Sequence, residues 1–405
     1  MSTSPRVWIA CHGPLGCNSG LHVRALASGL GASGFSVRVL VPERDSEDEA
    51  LGAGLILSTF DEAVHLVSTE TPDLIHFWTA RERMVRLERR LALRAPREIP
   101  HLVHLEDDED LLVRQQMGLS DEVFLATRRG SLALEVPEHL THPRHGLALL
   151  EGSAGVTALN EALAARAPAG VPSTVFWPGF DPAFDRDDPT AAAEVRSLLG
   201  IDPETLIVTY TGNVHDSNVE EVRSLYLAVA LANRMGCAMR LIRTGVDFVP
   251  LAEHGEDLLR ANAHELGRVD RDLLPRLVHA ADFLVQPGRI DDWNRLRVPS
   301  KLPDFLVSGR AVVLPRVNLG EHLTPGVDAL VLESAAAEDL LACFLEWAHR
   351  PEERREIGAA GARFARNHLT WEAAADAVST RYRAILDRDP STPHADASVA
   401  SGVCA

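Results

Sequence analysis

Lysine is almost missing from this 405-residue chain: 39 of its 40 basic residues are arginine, and Lys301 stands alone. A compact, strongly hydrated ammonium presents a different shape to a ligand than a planar guanidinium, so the position that keeps it is singled out. Positive charge as a whole is short. The formal net charge of −18 argues against general nucleic-acid binding, which depends on clustered basic residues that neutralise phosphates. Cysteine is sparse and scattered, at Cys11, Cys17, Cys237, Cys343 and Cys404, with no CxxC spacing. Neither a disulfide framework nor a zinc site is indicated, and no other cluster has metal-ligand spacing, so no metal is expected. Long apolar runs are absent too. The first, Val7–Ala10, breaks at His12 and Gly13, too short for a signal segment, and no run reaches the length of a membrane span. A cytoplasmic location is expected.

What is present is alternation. At 46% apolar and 24% charged residues the composition is that of a globular protein, and the length favours two domains. Val7-Trp-Ile-Ala10 reads as a strand, Cys11 to Gly20 as a glycine-bearing loop, Leu21 to Leu30 as a helix and Val37–Val41 as the next strand. This βαβ opening aims Gly16 and Gly20 at a helix N-terminus able to hold an anion, although the loop fits neither the Walker nor the dinucleotide fingerprint. Further strands are expected at Leu55–Leu57, Leu74–Trp78, His101–His104, Gly155–Ala158 and Thr174–Trp177. Their apolar character predicts a parallel, doubly wound sheet, whose ligands sit at the carboxyl ends of the strands, where His12, His76 and His104 fall. Arg81–Arg97 carries seven arginines on an expected helix with an apolar stripe of Met84, Leu87 and Leu91. Two readings stand for it: a solvated face paired with Glu82 and Glu88, or a peripheral contact with anionic membrane at its inner face. Glu106, Asp107 and Asp108 are expected to cap the following helix.

A proline- and aspartate-rich linker is expected over 179–204, after which the pattern restarts. Strands are predicted at Leu206–Thr211, Ala238–Arg243, His264–Val269, Ala281–Val285, Ala311–Leu314 and Ala329–Leu332, with a long helix over Val219–Arg234. The expected organisation is a domain over 1–178, a second over 205–370, a helix over 371–388 returning to the first, and a flexible tail over 389–405.

Several segments carry a family resemblance: Gly212-Asn213, Leu266-Gly-Arg-Val269, Ala280–Gly288 and, above all, Pro299-Ser-Lys-Leu-Pro-Asp-Phe-Leu-Val-Ser-Gly-Arg-Ala-Val-Val313. In this order the chain resembles the GT-B glycosyltransferases, and its second half resembles the donor domain of the retaining enzymes grouped as glycosyltransferase family 4. The resemblance implies two Rossmann-like domains facing each other across a cleft. It also implies transfer of a sugar from a nucleoside-diphosphate donor, with retention, to an acceptor bound by the first half, without a resident cofactor. An epimerase or hydrolase on the same fold, or an inactive binding subunit, are the alternatives.

Position by position, the resemblance places Asp304 on the nucleotide's ribose, while the family's first glutamate falls on Leu296. The family's pyrophosphate-binding arginine and lysine are missing from Gly212–Asn218, so Lys301, Arg297 and Arg243 are expected to supply that charge, with Ser300 capping the next helix. Asn213, Gly212, Arg268 and the backbone at Gly288 complete the expected donor site. His104, with His12 as competitor, is the expected histidine near the reacting sugar.

Overall fold

The computed structural model describes residues 4–44, 46–252, 254–334 and 336–387. The tail expected over 389–405, with Cys404, lies outside the described residues. Among the described residues the chain divides into two compact units, one within 4–178 and 371–387, the other within 179–370.

The first unit is built on seven parallel strands: β1 (Arg6–Ala10), β2 (Ser36–Val41), β3 (Ile56–Thr59), β4 (Leu74–Trp78), β5 (His101–Leu105), β6 (Gly155–Ala158) and β7 (Ser173–Val175). They lie in the order β3-β2-β1-β4-β5-β6-β7. The central strands are apolar on both faces because helices cover both, and all five residues of β4 are buried. Each fully buried large apolar side chain, such as Phe77 or Leu26, contributes roughly 1.5–3 kcal/mol. The helix Trp371–Leu386 completes this unit by packing on the helix Asn18–Ala32. Their approach is close enough that a Cβ on Gly29 would stand 2.7 Å from Cβ of Ala375. From the same terminal helix Tyr382 reaches into the core, its hydroxyl 2.7 Å from Nδ1 of His76.

The second unit has six parallel strands, β8 (Leu206–Thr211), β9 (Met239–Thr244), β10 (Ala263–Glu265), β11 (Phe283–Val285), β12 (Val312–Pro315) and β13 (Leu330–Leu332), in the order β10-β9-β8-β11-β12-β13. One face of the sheet packs Tyr226, Val229, Phe344 and Leu340 into a single core. The expected linker is more structured than its composition suggests. Pro182–Asp185 forms a 3₁₀ turn capped by Asp181, and Ala191–Leu199 is a helix that packs on the helix Leu274–His279.

In both sheets the strand order reverses next to the unit's first strand, between β1 and β4 and between β8 and β11. Loops leaving two such neighbours depart in opposite directions and open a crevice at the carboxyl ends, where ligands of open α/β sheets bind.

Candidate active site

At the second sheet's reversal, β8 delivers Gly212 against Tyr210 and Lys301. A Cβ on Gly212 would stand 2.6 Å from the Tyr210 hydroxyl and 2.9 Å from Nζ of Lys301, so only glycine lets the ammonium approach the backbone there. Gly245, at φ 99° after β9, packs onto the carbonyl of Gly212, and its amide donates to the carbonyl of Gly267 at 2.7 Å. Asn213 ties the same loops together, its Oδ1 accepting from the Val246 amide at 2.9 Å. The loops after β8, β9 and β10 thus form one backbone platform, and Arg268 sits exposed at its far end.

Lys301 lies 4.6 Å over the Tyr210 ring. Burial, and next the charge of Arg297, push its ammonium down to about 7. Arg297 donates to Oδ1 of Asn294 at 3.1 Å and lies over the Trp293 ring at 5.5 Å. Among the described residues neither cation has a carboxylate partner. Arg243 and Arg260, on the neighbouring strand and helix, are by contrast held by Asp247 and Glu265.

Other members of the expected donor site are placed differently. Arg243 is buried and spent on Asp247, 2.6 Å away, and on Glu265, so it does not join Lys301 as a free charge. Ser300 is not the helix cap: the cap position of Leu302–Val307 is Lys301, whose side chain makes no capping bond. Oδ1 of Asp304 already accepts the Asp181 amide at 2.7 Å, and burial raises its carboxyl to about 7. Asp304 therefore holds the chain entering this unit, leaving less of the carboxyl for a ribose than expected. Leu296 is a packed core residue. Gly288 faces Pro315 and Asn294, and Asn318, at φ 48°, donates to the carbonyl of Asn294 and so braces this loop from behind.

The first sheet's reversal is organised by Glu106, which is buried. Its Oε1 accepts from the Ser19 hydroxyl and lies 3.3 Å from Nε2 of His12, while Oε2 accepts from Nε1 of Trp78 at 2.8 Å. Burial alone would raise this carboxyl, but the bond and charge of His12, with His104 and Ser19, hold it well below its ordinary value. Nε2 of His12 also lies 3.0 Å from the Ser19 hydroxyl, and NH1 of Arg81 stands 3.2 Å from both ring nitrogens. Arg81 is itself fixed by Glu109 at 3.0 Å, and Glu109 accepts from Thr141 at 2.8 Å. Of the three carboxylates expected to cap the next helix, Asp108 does so, accepting from Leu111.

His104 and His76 are core groups. His104 is fully buried, stacked 3.9 Å from Trp78 and 5.1 Å from Phe176, with Nδ1 bonded to Thr157 and Nε2 without a partner among the described residues. Burial holds it well below its ordinary value. His76 lies inside β4 rather than at its end, shares the Thr157 hydroxyl, and is pushed down to about 3 by burial. His12 alone of the three keeps partial access to solvent. Directly after β4, Thr79 holds φ 80° with its hydroxyl buried and, among the described residues, unpartnered, a strained conformation for a β-branched residue. In the expected anion loop the Leu15 amide is taken by the buried Asp48 at 2.6 Å, and Gly20 is needed because a Cβ would meet the Pro14 carbonyl at 2.3 Å. Gly16 lies exposed at the loop tip.

The arginine-rich helix spans Glu82–Ala92. Its apolar stripe, Met84, Leu87 and Leu91, is buried in the core. Five of its segment's seven arginines pair with carboxylates: Arg81 with Glu109, Arg83 and Arg86 with Glu138, Arg90 with Asp61 and Arg97 with Asp73. Arg86 also reaches Glu82, whereas Glu88 takes no part in these pairs. Among the described residues no helix is long and apolar enough to cross a membrane, and no group of three or more His, Cys, Asp and Glu side chains is arranged to hold a metal ion.

Residues 230–379 match a family model described as glycosyl transferase-like. The fold is that of the GT-B glycosyltransferases. Alr3699/HepE from Anabaena, solved in complex with UDP and glucose, superposes with a TM-score of 0.67 at 14% identity, over 94% of this chain and 100% of that one. Sucrose-phosphate synthase from Thermosynechococcus elongatus gives 0.64 at 16% identity, covering 94% and 99%. A putative UDP-N-acetylglucosamine 2-epimerase from Listeria monocytogenes gives 0.58 at 10% identity, covering 95% and 97%. No curated protein matches the sequence. On this GT-B frame, the sequence did not single out Glu106 as a hub or Tyr210 as the ring beneath Lys301. Their only signal is a place next to the end of β5 and of β8, which many structural residues share.

Proposed function

We propose that this GT-B chain is a glycosyltransferase that takes a sugar from a nucleoside-diphosphate donor held by the second unit and passes it to an acceptor bound by the first. The observation that carries this reading is the pair of cations without counter-charges, Lys301 and Arg297, at the reversal of the second sheet. A diphosphate is the ligand such a pair lacks. In the reaction the bond between the anomeric carbon and the diphosphate breaks, and negative charge grows on the leaving oxygen. Preorganised cations are worth most there, because they stabilise the transition state more than the ground state.

The resemblance of Pro299–Val313 to family 4 supports retention of configuration, with the leaving phosphate taking the acceptor proton and no protein nucleophile. In this reading the charge on the departing diphosphate is met by Lys301 and Arg297 rather than by a metal ion. UDP is the first nucleotide to test, since HepE was solved with it. Calorimetric titration of the full chain with UDP, GDP and ADP is expected to show binding of one of them, abolished or strongly weakened in Lys301→Ala. No binding to any would sink the proposal. The similarity to a putative epimerase keeps a second reading, in which donor is converted without an acceptor. Product analysis of donor incubated alone separates the two.

A further inference from the structure

Glu221 stands in the first turn of the helix Val219–Arg234, directly after the loop that leaves β8. It is 2% exposed, and neither carboxylate oxygen has a hydrogen-bond partner among the described residues. Its one ionic neighbour is Nε of Arg289, 3.4 Å from Oε1. That guanidinium is half exposed and shared with Glu220 at 2.7 Å and Asp291 at 3.8 Å, so it does not fill the acceptor sites of Glu221. Arg289 belongs to the loop leaving β11, the strand beside β8 at the reversal. Glu221 therefore lies between the two loops that open the crevice. It also acts electrostatically on Tyr210, the ring over which Lys301 sits.

A buried carboxylate with empty acceptor sites is costly unless a ligand or water donates to it. The surroundings narrow the donor. Phosphate is repelled by Glu221 itself, and an ammonium ligand is disfavoured by the Arg289 guanidinium already beside it. Neutral hydroxyl groups remain. We propose that Glu221 accepts hydroxyls of the donor's sugar, so that Lys301 and Arg297 hold the diphosphate while Glu221 selects and orients the group to be transferred. The inference rests on the reading of this chain as a glycosyltransferase and adds a specificity residue to it.

The test compares each nucleoside diphosphate with its glucose conjugate. UDP, GDP, ADP and the three conjugates are titrated calorimetrically into the full wild-type chain, Glu221→Ala and Glu221→Gln. For the nucleotide that binds, Glu221→Ala is expected to leave the diphosphate affinity within about twofold and to weaken the conjugate roughly tenfold, the loss of a hydrogen bond to a charged group. Glu221→Gln, which keeps the shape and one acceptor, is expected to lose less. Equal weakening of diphosphate and conjugate in both variants would show that Glu221 only supports the fold and would overturn the inference, as would unchanged affinity for both. Thermal melting of Glu221→Gln identifies a folding defect if Glu221→Ala alone is unstable. Binding of diphosphate without the conjugate effect overturns this inference only. Absence of any nucleotide binding by the wild type overturns the glycosyltransferase reading and this one with it.

Discussion

The two strand-order reversals have the same topology and opposite electrostatic states. At β1 and β4 nearly every charge is met: Glu106 by Ser19, His12 and Trp78, Arg81 by Glu109, and the loop amide of Leu15 by Asp48. At β8 and β11 charges are left over. Among the described residues Lys301 and Arg297 have no carboxylate, and Glu221 has no hydrogen-bond donor. Saturated polar networks rigidify a protein, whereas unsatisfied buried charges are costs that a ligand can relieve. The first reversal therefore reads as a preformed support for His12 and the strained Thr79, and the second as the site that gains most from binding.

The comparison breaks most visibly at Glu106. Its removal strands the buried donors of Ser19 and Trp78 together with His12, so Glu106→Ala is expected to lower unfolding free energy by about 3–5 kcal/mol, measured by urea denaturation. Because this carboxyl is held below its ordinary value of 4.5, its contribution is present above that pH and lost as pH falls below it. The advantage of wild type over Glu106→Gln should therefore shrink in acid.

The opposite pattern is expected at Lys301. Lys301→Ala should weaken nucleoside-diphosphate binding by about 1.5–3 kcal/mol, as read by calorimetry, yet leave thermal stability unchanged or improved, since an unpaired buried cation is removed. The lysine is held near 7 in the free protein, and only its protonated form attracts phosphate. Wild-type affinity should accordingly fall as pH rises above about 7, with proton uptake on binding at pH 8. A flat pH profile would remove Lys301 from the proposed phosphate site.

Gly212→Ala sharpens the point with a smaller change. Its Cβ would displace Nζ of Lys301 and the Tyr210 hydroxyl, so affinity should drop by about 1 kcal/mol, against a modest loss of stability. The smallest effect concerns Asp304. Its carboxyl is raised to about 7 in the folded chain from an ordinary 3.8, so the folded state holds the extra proton between these values and stability drains away as pH climbs through that window. Asp304→Asn keeps an acceptor for the Asp181 amide and does not titrate there. Its stability relative to wild type should rise from pH 4 to pH 7, and a constant difference in thermal midpoint would contradict the assigned environment.

Much of the fold was legible. Parallel strands buried on both faces write themselves as short apolar runs, and β4, β6 and β8 coincide with the expected strands at their full extent, whereas β10, Ala-His-Glu and only half-buried, carries no such run. The site was less so. Lys301 draws notice in the sequence because it is the sole lysine, but Ser300 was misread as a cap and Arg243 as a free cation. Sequence spacing says nothing of which acid a buried arginine meets. Asp304 shows the same gap: its motif position names a slot, and the amide of Asp181, 123 residues away in sequence, takes the oxygen.

By itself, then, the sequence determined the alternation of strand and helix, the restart after Pro178 and the singular lysine, because periodicity, apolar runs and composition are local. Only the tertiary structure decided which charges are paired. Pairing depends on distances of a few ångströms between residues far apart in the chain, as with His12 and Glu106, and on the low dielectric that packing creates around them. The same six-strand order that brings Gly212 close to Lys301 leaves, among the described residues, that lysine without a carboxylate and Glu221 without a hydrogen-bond donor.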